Sequence, residues 1–186
     1  MGKNPERIIL GSGKLFAMLF TNSIPEDSVI EVEDNRLGHI KGGATLEYAP
    51  EFYIAKDDLG QIQKSRLVSE EVKFKSGLMT LNGNSIAKLC ATARVDETKA
   101  GKRTVMIGGA GNDDGKKYLI RFLHEDEADG DIRLTLVGRN ESGFSMAFAA
   151  DSETVVDAEF TAFPSDTEGT LIIYTEDDTS VTGGNA

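Results

Sequence analysis

Apolar and polar positions alternate most cleanly between Lys116 and Val137. Tyr118, Ile120 and Phe122 alternate with Lys117, Leu119, Arg121 and Leu123, and Ile132, Leu134 and Leu136 with Arg133, Thr135 and Val137. Successive strand side chains point to opposite faces, so each run buries one continuous apolar row. Between the runs, Asp126-Glu127-Ala128-Asp129-Gly130 ends in an Asp-Gly step, which accepts the positive φ of a hairpin turn. A lone hairpin is marginal in water. This one therefore predicts a sheet assembled around it.

The remaining pattern supplies further strands. Residues 14–20 form a short, continuously apolar run whose length favours a buried strand. Residues 29–33, 45–48, 62–68, 71–80, 103–107, 144–149, 155–163 and 169–174 are further strand candidates. In the 71–80 run, Val72, Phe74 and Ser76 face opposite to Glu71, Lys73 and Lys75; in the 155–163 run, Val156, Ala158, Phe160 and Ala162 oppose Val155, Asp157, Glu159 and Thr161. Pro50 stops central pairing where it stands. A single helix is predicted over residues 82–95. There Ile86, Leu89, Cys90 and Ala93 fall at i, i+3, i+4 and i+7, Asn82 or Asn84 caps the start, Arg94 suits the C-terminal end, and Lys88 and Thr92 point away from the apolar stripe.

Between these elements, residues 33–65 keep no clean period. Phe52, Tyr53, Ile54 and Leu59 stand among charges beside Asp57, Asp58 and Gly60. Long, weakly patterned connections are functional or disordered, and aromatic side chains argue against disorder. Two readings remain open: a projecting loop or hairpin ordered against another copy, or a surface Ω-loop packed by its own aromatics. On the first, Tyr48, Phe52, Tyr53, Asp57, Asp58 and Leu59 are the contact residues. Residues 1–13 read as an N-terminal arm carrying Ile8-Ile9-Leu10, or as a frayed end with one edge strand. Residues 175–186 form a polar tail expected to be disordered alone.

Composition narrows the class. The chain has 186 residues with 39% hydrophobic content, enough for one core and one domain with arms. Twenty glycines and no tryptophan fit a turn-rich β protein. A net charge of −11 argues against tightly held nucleic acid, which needs clustered Lys and Arg. One cysteine, Cys90, permits no internal disulfide and sits on the apolar stripe, so it reads as a packed small hydrophobe. Residues 15–20, the most apolar run, are too short to span a bilayer and are not preceded by a cleavable signal, so the expectation is a soluble chain without membrane contact, made in a cytoplasm.

Candidate chemistry falls away on spacing. The run Gly108 to Gly115 lacks the Gly-Lys-Ser/Thr register of a phosphate loop and leads into a strand. Glu125, Glu127 and Asp129 imitate the start of a calcium loop, but Leu136 stands where the bidentate acid belongs. His39 and His124 have no partner at zinc-ligand spacing. Gly143-Phe144-Ser145-Met146-Ala147 lacks the second glycine of a nucleophile elbow. No catalytic, cofactor-binding or metal residue is assigned.

Several phrases carry a resemblance: residues 30–38 (Ile-Glu-Val-Glu-Asp-Asn-Arg-Leu-Gly), 41–48 (Lys-Gly-Gly-Ala-Thr-Leu-Glu-Tyr), 103–109 (Arg-Thr-Val-Met-Ile-Gly-Gly), 157–160 (Asp-Ala-Glu-Phe) and 168–174 (Glu-Gly-Thr-Leu-Ile-Ile-Tyr). Across about Arg7 to Tyr174 the chain resembles the major tail tube proteins of long-tailed, siphovirus-type bacteriophages, particularly those infecting Gram-positive bacteria. That resemblance implies a β-sandwich or half-barrel of two packed antiparallel sheets flanked by one α-helix, with extended loop and terminal arms. It implies hexameric rings whose inner sheets join into a continuous barrel and stack into a tube in the virion, assembled in the host bacterial cytoplasm. Tape-measure, tail-terminator and distal tail proteins are its implied partners, DNA passes through without specific binding, and neither enzyme activity nor a cofactor is implied. An acidic bore lets DNA slide, and Asp157 and Glu159 are the candidate lumen acids. The rivals are a decoration or baseplate-connector ring protein of the same fold and a carbohydrate-binding β-sandwich, the latter disfavoured by the absence of Trp.

Overall fold

The computed structural model describes residues 9, 11–178 and 180–183. In chain order its elements are β1 (Lys14–Leu19), α1 (Asp27–Ile30), β2 (Arg36–Gly38), β3 (Ile40–Lys56), β4 (Gln63–Leu78), α2 (Gly83–Lys88), β5 (Arg94–Asp96), β6 (Thr104–Met106), β7 (Tyr118–His124), β8 (Ile132–Arg139), β9 (Val156–Phe163) and β10 (Ile173–Glu176). Short 3-10 turns cover Glu33–Asn35 and Ala110–Asn112.

The central hairpin forms where its alternation places it. β7 and β8 pair antiparallel from Tyr118↔Gly138 to His124↔Ile132. Their turn closes through Gly130 N donating to Asp126 O at 2.9 Å, with Gly130 at φ +88°. Asp126 Oδ1 accepts from the amides of Ala128 and Asp129, so a carboxylate between those that imitate a calcium loop holds the turn.

Around this hairpin runs one antiparallel sheet of eight strands, ordered β2-β1-β7-β8-β9-β4-β3. The far edge of β8 is shared: β9 pairs with Val137–Arg139 and β10 with residues 132–135. A second, two-stranded sheet pairs β5 with β6. The large sheet is curled. Phe74 of β4 and Phe122 of β7 stand with ring centroids 5.9 Å apart, although β8 and β9 separate their strands. At about 4.8 Å per strand, a flat sheet would hold them roughly 14 Å apart. The two ends of the strand order do not pair with each other, so among the described residues no closed barrel exists.

Curling encloses the main core. Leu15, Ala17, Ile120 and Leu136 from one half meet Phe74, Leu78, Val156, Ala158 and Phe160 from the other, with Leu37 and Leu89 closing the ends. Each such fully buried large side chain contributes about 1.5–3 kcal/mol. On the opposite face Phe16, Leu119, Leu123 and Val137 are covered by Ile30 of α1. β1, β7 and β8 thus bury both faces, which is why their sequences read as almost continuously apolar.

Several expectations change. The helix is six residues long rather than spanning 82–95: Asn82 caps it, accepting from the Asn84 and Ser85 amides, but it closes at Leu89 and Arg94 opens β5. Leu89 and Ser85 are its buried positions, four apart, and Ser85 Oγ donates to Leu37 O at 2.5 Å. Core anchoring by Leu89 and the tight turns after it (Leu89 N to Ile86 O, Cys90 N to Ala87 O) end the helix early. Lys88 and Thr92 point inward: Lys88 Nζ donates to Ala17 O at 2.6 Å, and Thr92 Oγ1 accepts from Gly108 N. The strand expected at 29–33 is replaced by α1 and a 3-10 turn, with Ile30 fully buried. Residues 144–147 alternate in burial, with Phe144 and Met146 against the core, but Phe148 is exposed and the segment forms no ladder. Asn140 and Gly143 (φ +73°) turn the chain out of β8 there, so packing proceeds without strand partners. The strand expected at 169–174 shifts to β10, which is largely exposed and takes in Thr175 and Glu176 from the expected tail. Most of the N-terminal arm, residues 1–8 and 10, lies outside the described residues, as do 179 and 184–186 of the tail.

Candidate functional site

The span 33–65, ambiguous in sequence, holds the largest exposed feature. β3 and β4 form one long hairpin in register from Ile40↔Leu78 to Lys56↔Gln63. β4 finds β9 on its other side only between Lys73 and Leu78. From the Tyr48↔Val72 pair outward the hairpin is a free two-stranded ribbon, roughly 30 Å long at 3.3 Å per residue. Pro50 lies within β3, an edge strand, where a missing donor is tolerated.

The ribbon has two unlike faces. Directly paired residues share a face. Leu46 and Phe74 belong to the core, and their face continues outward through Tyr48 with Val72, then Phe52 with Leu67, then Ile54. Tyr48 and Phe52 each stand 53% exposed. The other face carries Glu47, Glu51, Tyr53, Arg66 and Lys73. Tyr53, expected to act with Phe52, therefore points away from it. The register shift at Glu51/Phe52 leaves Val68 as an extra residue on β4. That bulge puts Leu67 on the face of Val72 although the two are an odd number of residues apart. Strict alternation fails at that point, which is why Ile54, Leu67 and Val68 carried no clear signal.

At the tip, Asp57 Oδ1 accepts from Ile62 N at 2.7 Å and Asp57 O from Gly60 N at 3.0 Å. Gly60 adopts φ +67° to close this loop. Asp57 is thus turn-forming, while Leu59 projects 78% exposed. Tyr48 Oη donates to Glu70 Oε1 at 2.5 Å, and that bond to a carboxylate pushes the phenol above its ordinary range.

Asp157 and Glu159 do share the outer face of β9, opposite the buried Val156, Ala158 and Phe160. They are not equivalent. Glu159 accepts from Ser142 Oγ at 2.7 Å and stands 3.6 Å from Lys75 Nζ and 3.9 Å from Lys73 Nζ. Lys75 also reaches Glu47 at 2.9 Å and Lys73 reaches Glu71 at 3.1 Å. The Ser142 hydroxyl and then the two lysines hold the Glu159 carboxyl below its usual range, while Glu71 and Glu47 raise Lys73 and Lys75. This face is a row of alternating charge, not a bare acidic strip.

The two histidines stay apart. His124 is buried, its Nδ1–H donating to Ser12 O at 2.7 Å, and His39 Nδ1 accepts from Arg36 at 3.0 Å. Among the described residues no group of His, Cys, Asp and Glu is arranged to hold a metal ion. Nor is any described helix long and apolar enough to cross a membrane. Cys90 is half-buried, and burial pushes its thiol above the ordinary value.

A mainly β chain with an open, curled antiparallel sheet and a projecting ribbon is the class these observations define. No family model matches the chain, and no curated protein matches it. Among solved structures it is similar to a chain of "Virion of native gene transfer agent (GTA) particle". The identity is 7% over 88% of this chain and 95% of that one, with a TM-score of 0.41, a likeness that assigns neither family nor function.

Proposed function

We propose that the protein is a structural virion protein whose copies form hexameric rings that stack into a bacteriophage tail tube, the conduit for DNA and the tape-measure protein. The observation that carries this reading is the β3–β4 ribbon, with the core's apolar face continued beyond the body onto exposed Tyr48, Phe52, Ile54 and Leu67. Apolar area of this kind is stable when another surface covers it. The sheet supports the reading as well, since its open end strands, β2 and β3, are edges that neighbours in a ring would satisfy. The sequence phrases resembling tail tube proteins supply the choice of ring over other partners. On this reading the charged outer face of β9, with Asp157 and Glu159, lines the bore, and its paired lysines moderate the repulsion that lets DNA slide.

Electron microscopy of concentrated protein, with sedimentation velocity, tests it. Annuli or hollow cylinders are the expected result, and solitary globules at every concentration refute the proposal. Deletion of residues 57–65 is expected to leave a folded monomer that no longer stacks.

A further inference from the structure

On the stacked-ring reading the hairpin tip needs an acceptor, and the chain offers a candidate. Two adjoining cavities, of about 400 and 450 Å³, open between the segment after α2 and the end of β8. Cys90, Ala91, Arg139 and Asn140 line both. Alanines and Cys90 make an apolar floor, and Lys88, Arg94, Lys116 and Arg139 stand among the lining residues against Asp114 and Glu141. Arg139 bonds Asp113 and Glu141, and Lys116 pairs with Asp114. Lys88 Nζ turns away to Ala17 O, and Lys116 and Arg139 are matched by these acids, which leaves Arg94 as the lining cation without an acid partner among the described residues.

The tip shows the complementary pattern, with the exposed Leu59 side chain next to Asp57 and Asp58. One copy cannot join them. Arg139 pairs with Thr161, and Thr161 with Lys73, so the cavity wall lies level with Lys73 of β4. The ribbon ends at Gln63, roughly 33 Å further along that strand. Contact between two different patches is heterologous and propagates from copy to copy.

We propose that the cavity beside Cys90 is the socket for the hairpin tip of a second copy, with Leu59 entering the apolar floor and Asp58 facing Arg94. This rests on the stacked-ring reading and names the acceptor that reading lacks. Each chain then carries one plug and one socket, and the contact repeats along the stack.

The test uses the single native cysteine. Leu59→Cys places a second thiol on the tip; assembled material is oxidised with copper phenanthroline and mapped by peptide mass spectrometry. A disulfide between the introduced thiol and Cys90, giving a ladder of multimers that Cys90→Ala abolishes, is the expected result. Assemblies in which the introduced thiol never reaches Cys90 overturn the socket and leave ring stacking standing. Capture of Cys90 by Ser180→Cys in its place assigns the cavity to the C-terminal segment and equally overturns it. If Leu59→Cys blocks assembly, charge exchange decides. Asp58→Lys is expected to raise the critical concentration about tenfold and Asp58→Lys with Arg94→Glu to restore it; a double variant no better than the single refutes the pairing. Wild-type protein that never assembles removes the ring reading itself, and the socket with it.

Discussion

Arg121 Nη1 lies 2.5 Å from Glu31 Oε1, tying the middle of β7 to the residue that closes α1. The same nitrogen reaches Asp27 at 2.7 Å, Arg121 Nε donates to Thr135 Oγ1, and Arg133 also bonds Glu31. Arg121 is only 4% exposed. Truncating Arg121 removes its charge-assisted hydrogen bonds at a buried site, worth about 1.5–3 kcal/mol each at most, while Arg133 still holds Glu31. Arg121→Ala is therefore expected to lower unfolding free energy by about 3 kcal/mol in urea at neutral pH. Glu31→Gln is expected to cost about 1–2 kcal/mol, because the amide oxygen still accepts and Asp27 remains. Equal losses from the two would contradict this division of roles.

Acid has a defined effect on the charge row across β3, β4 and β9. The Glu159 carboxyl is held below its usual range by Ser142, then by Lys75 and Lys73. A depressed folded-state pKa stabilises above the unfolded value, and that contribution is lost as pH falls through the folded one. Glu159→Gln is expected to melt slightly below wild type at pH 7, with the gap closing below about pH 4, where unfolded glutamate protonates. Thermal melts at both pH values check the sign, and a gap that widens in acid would refute it.

Body and ribbon are expected to separate in mutagenesis. Phe52→Ser with Leu67→Ser alters only the exposed ribbon, and surface changes of this kind lie within about 0.5 kcal/mol of neutral. Monomer stability is expected to hold while sedimentation shows the large species lost. Phe160→Ala, at the centre of the core, is expected to cost about 3–5 kcal/mol by urea titration.

Gly130 carries two independent constraints. It sits at φ +88°, and a Cβ there would lie 2.5 Å from Asp177 O. Gly130→Ala is expected to cost about 1–3 kcal/mol. Limited proteolysis is expected to show faster cleavage after β10 in that variant, since the clash displaces the backbone at Asp177.

β9 was readable because its alternation is unbroken and matches one buried face, as Val72, Phe74 and Ser76 do in the body half of β4, and the central hairpin because its nearly continuous apolar runs flank an Asp-Gly turn and are buried on both faces. The ribbon was not, because Pro50 suggested a stop and the bulge opposite Phe52 reversed the parity of β4. Residues 86–93 kept helical spacing, but burial of Leu89 and the turn after it decided the helix length. At Phe144 and Met146 the alternation signalled burial correctly and pairing wrongly, since period-two packing needs no ladder. Tyr48, Phe52 and Leu59 were recognisable as exposed candidates from aromatic and apolar residues set among charges. The opposed direction of Tyr53 depended on pairing that residue types alone do not encode.

The forked edge of β8 has a mechanical consequence. A tug on the ribbon travels along the hydrogen-bonded ladder through β4 and β9, then enters β8 by the three rungs Val137↔Phe163, Gly138↔Ala162 and Arg139↔Thr161. A tug on the C-terminal strand enters the same β8 at Ile132 to Thr135. Both loads converge in shear on one strand, so tensile failure of the subunit is set at that three-rung seam, while the seven-rung seam between β7 and β8 holds.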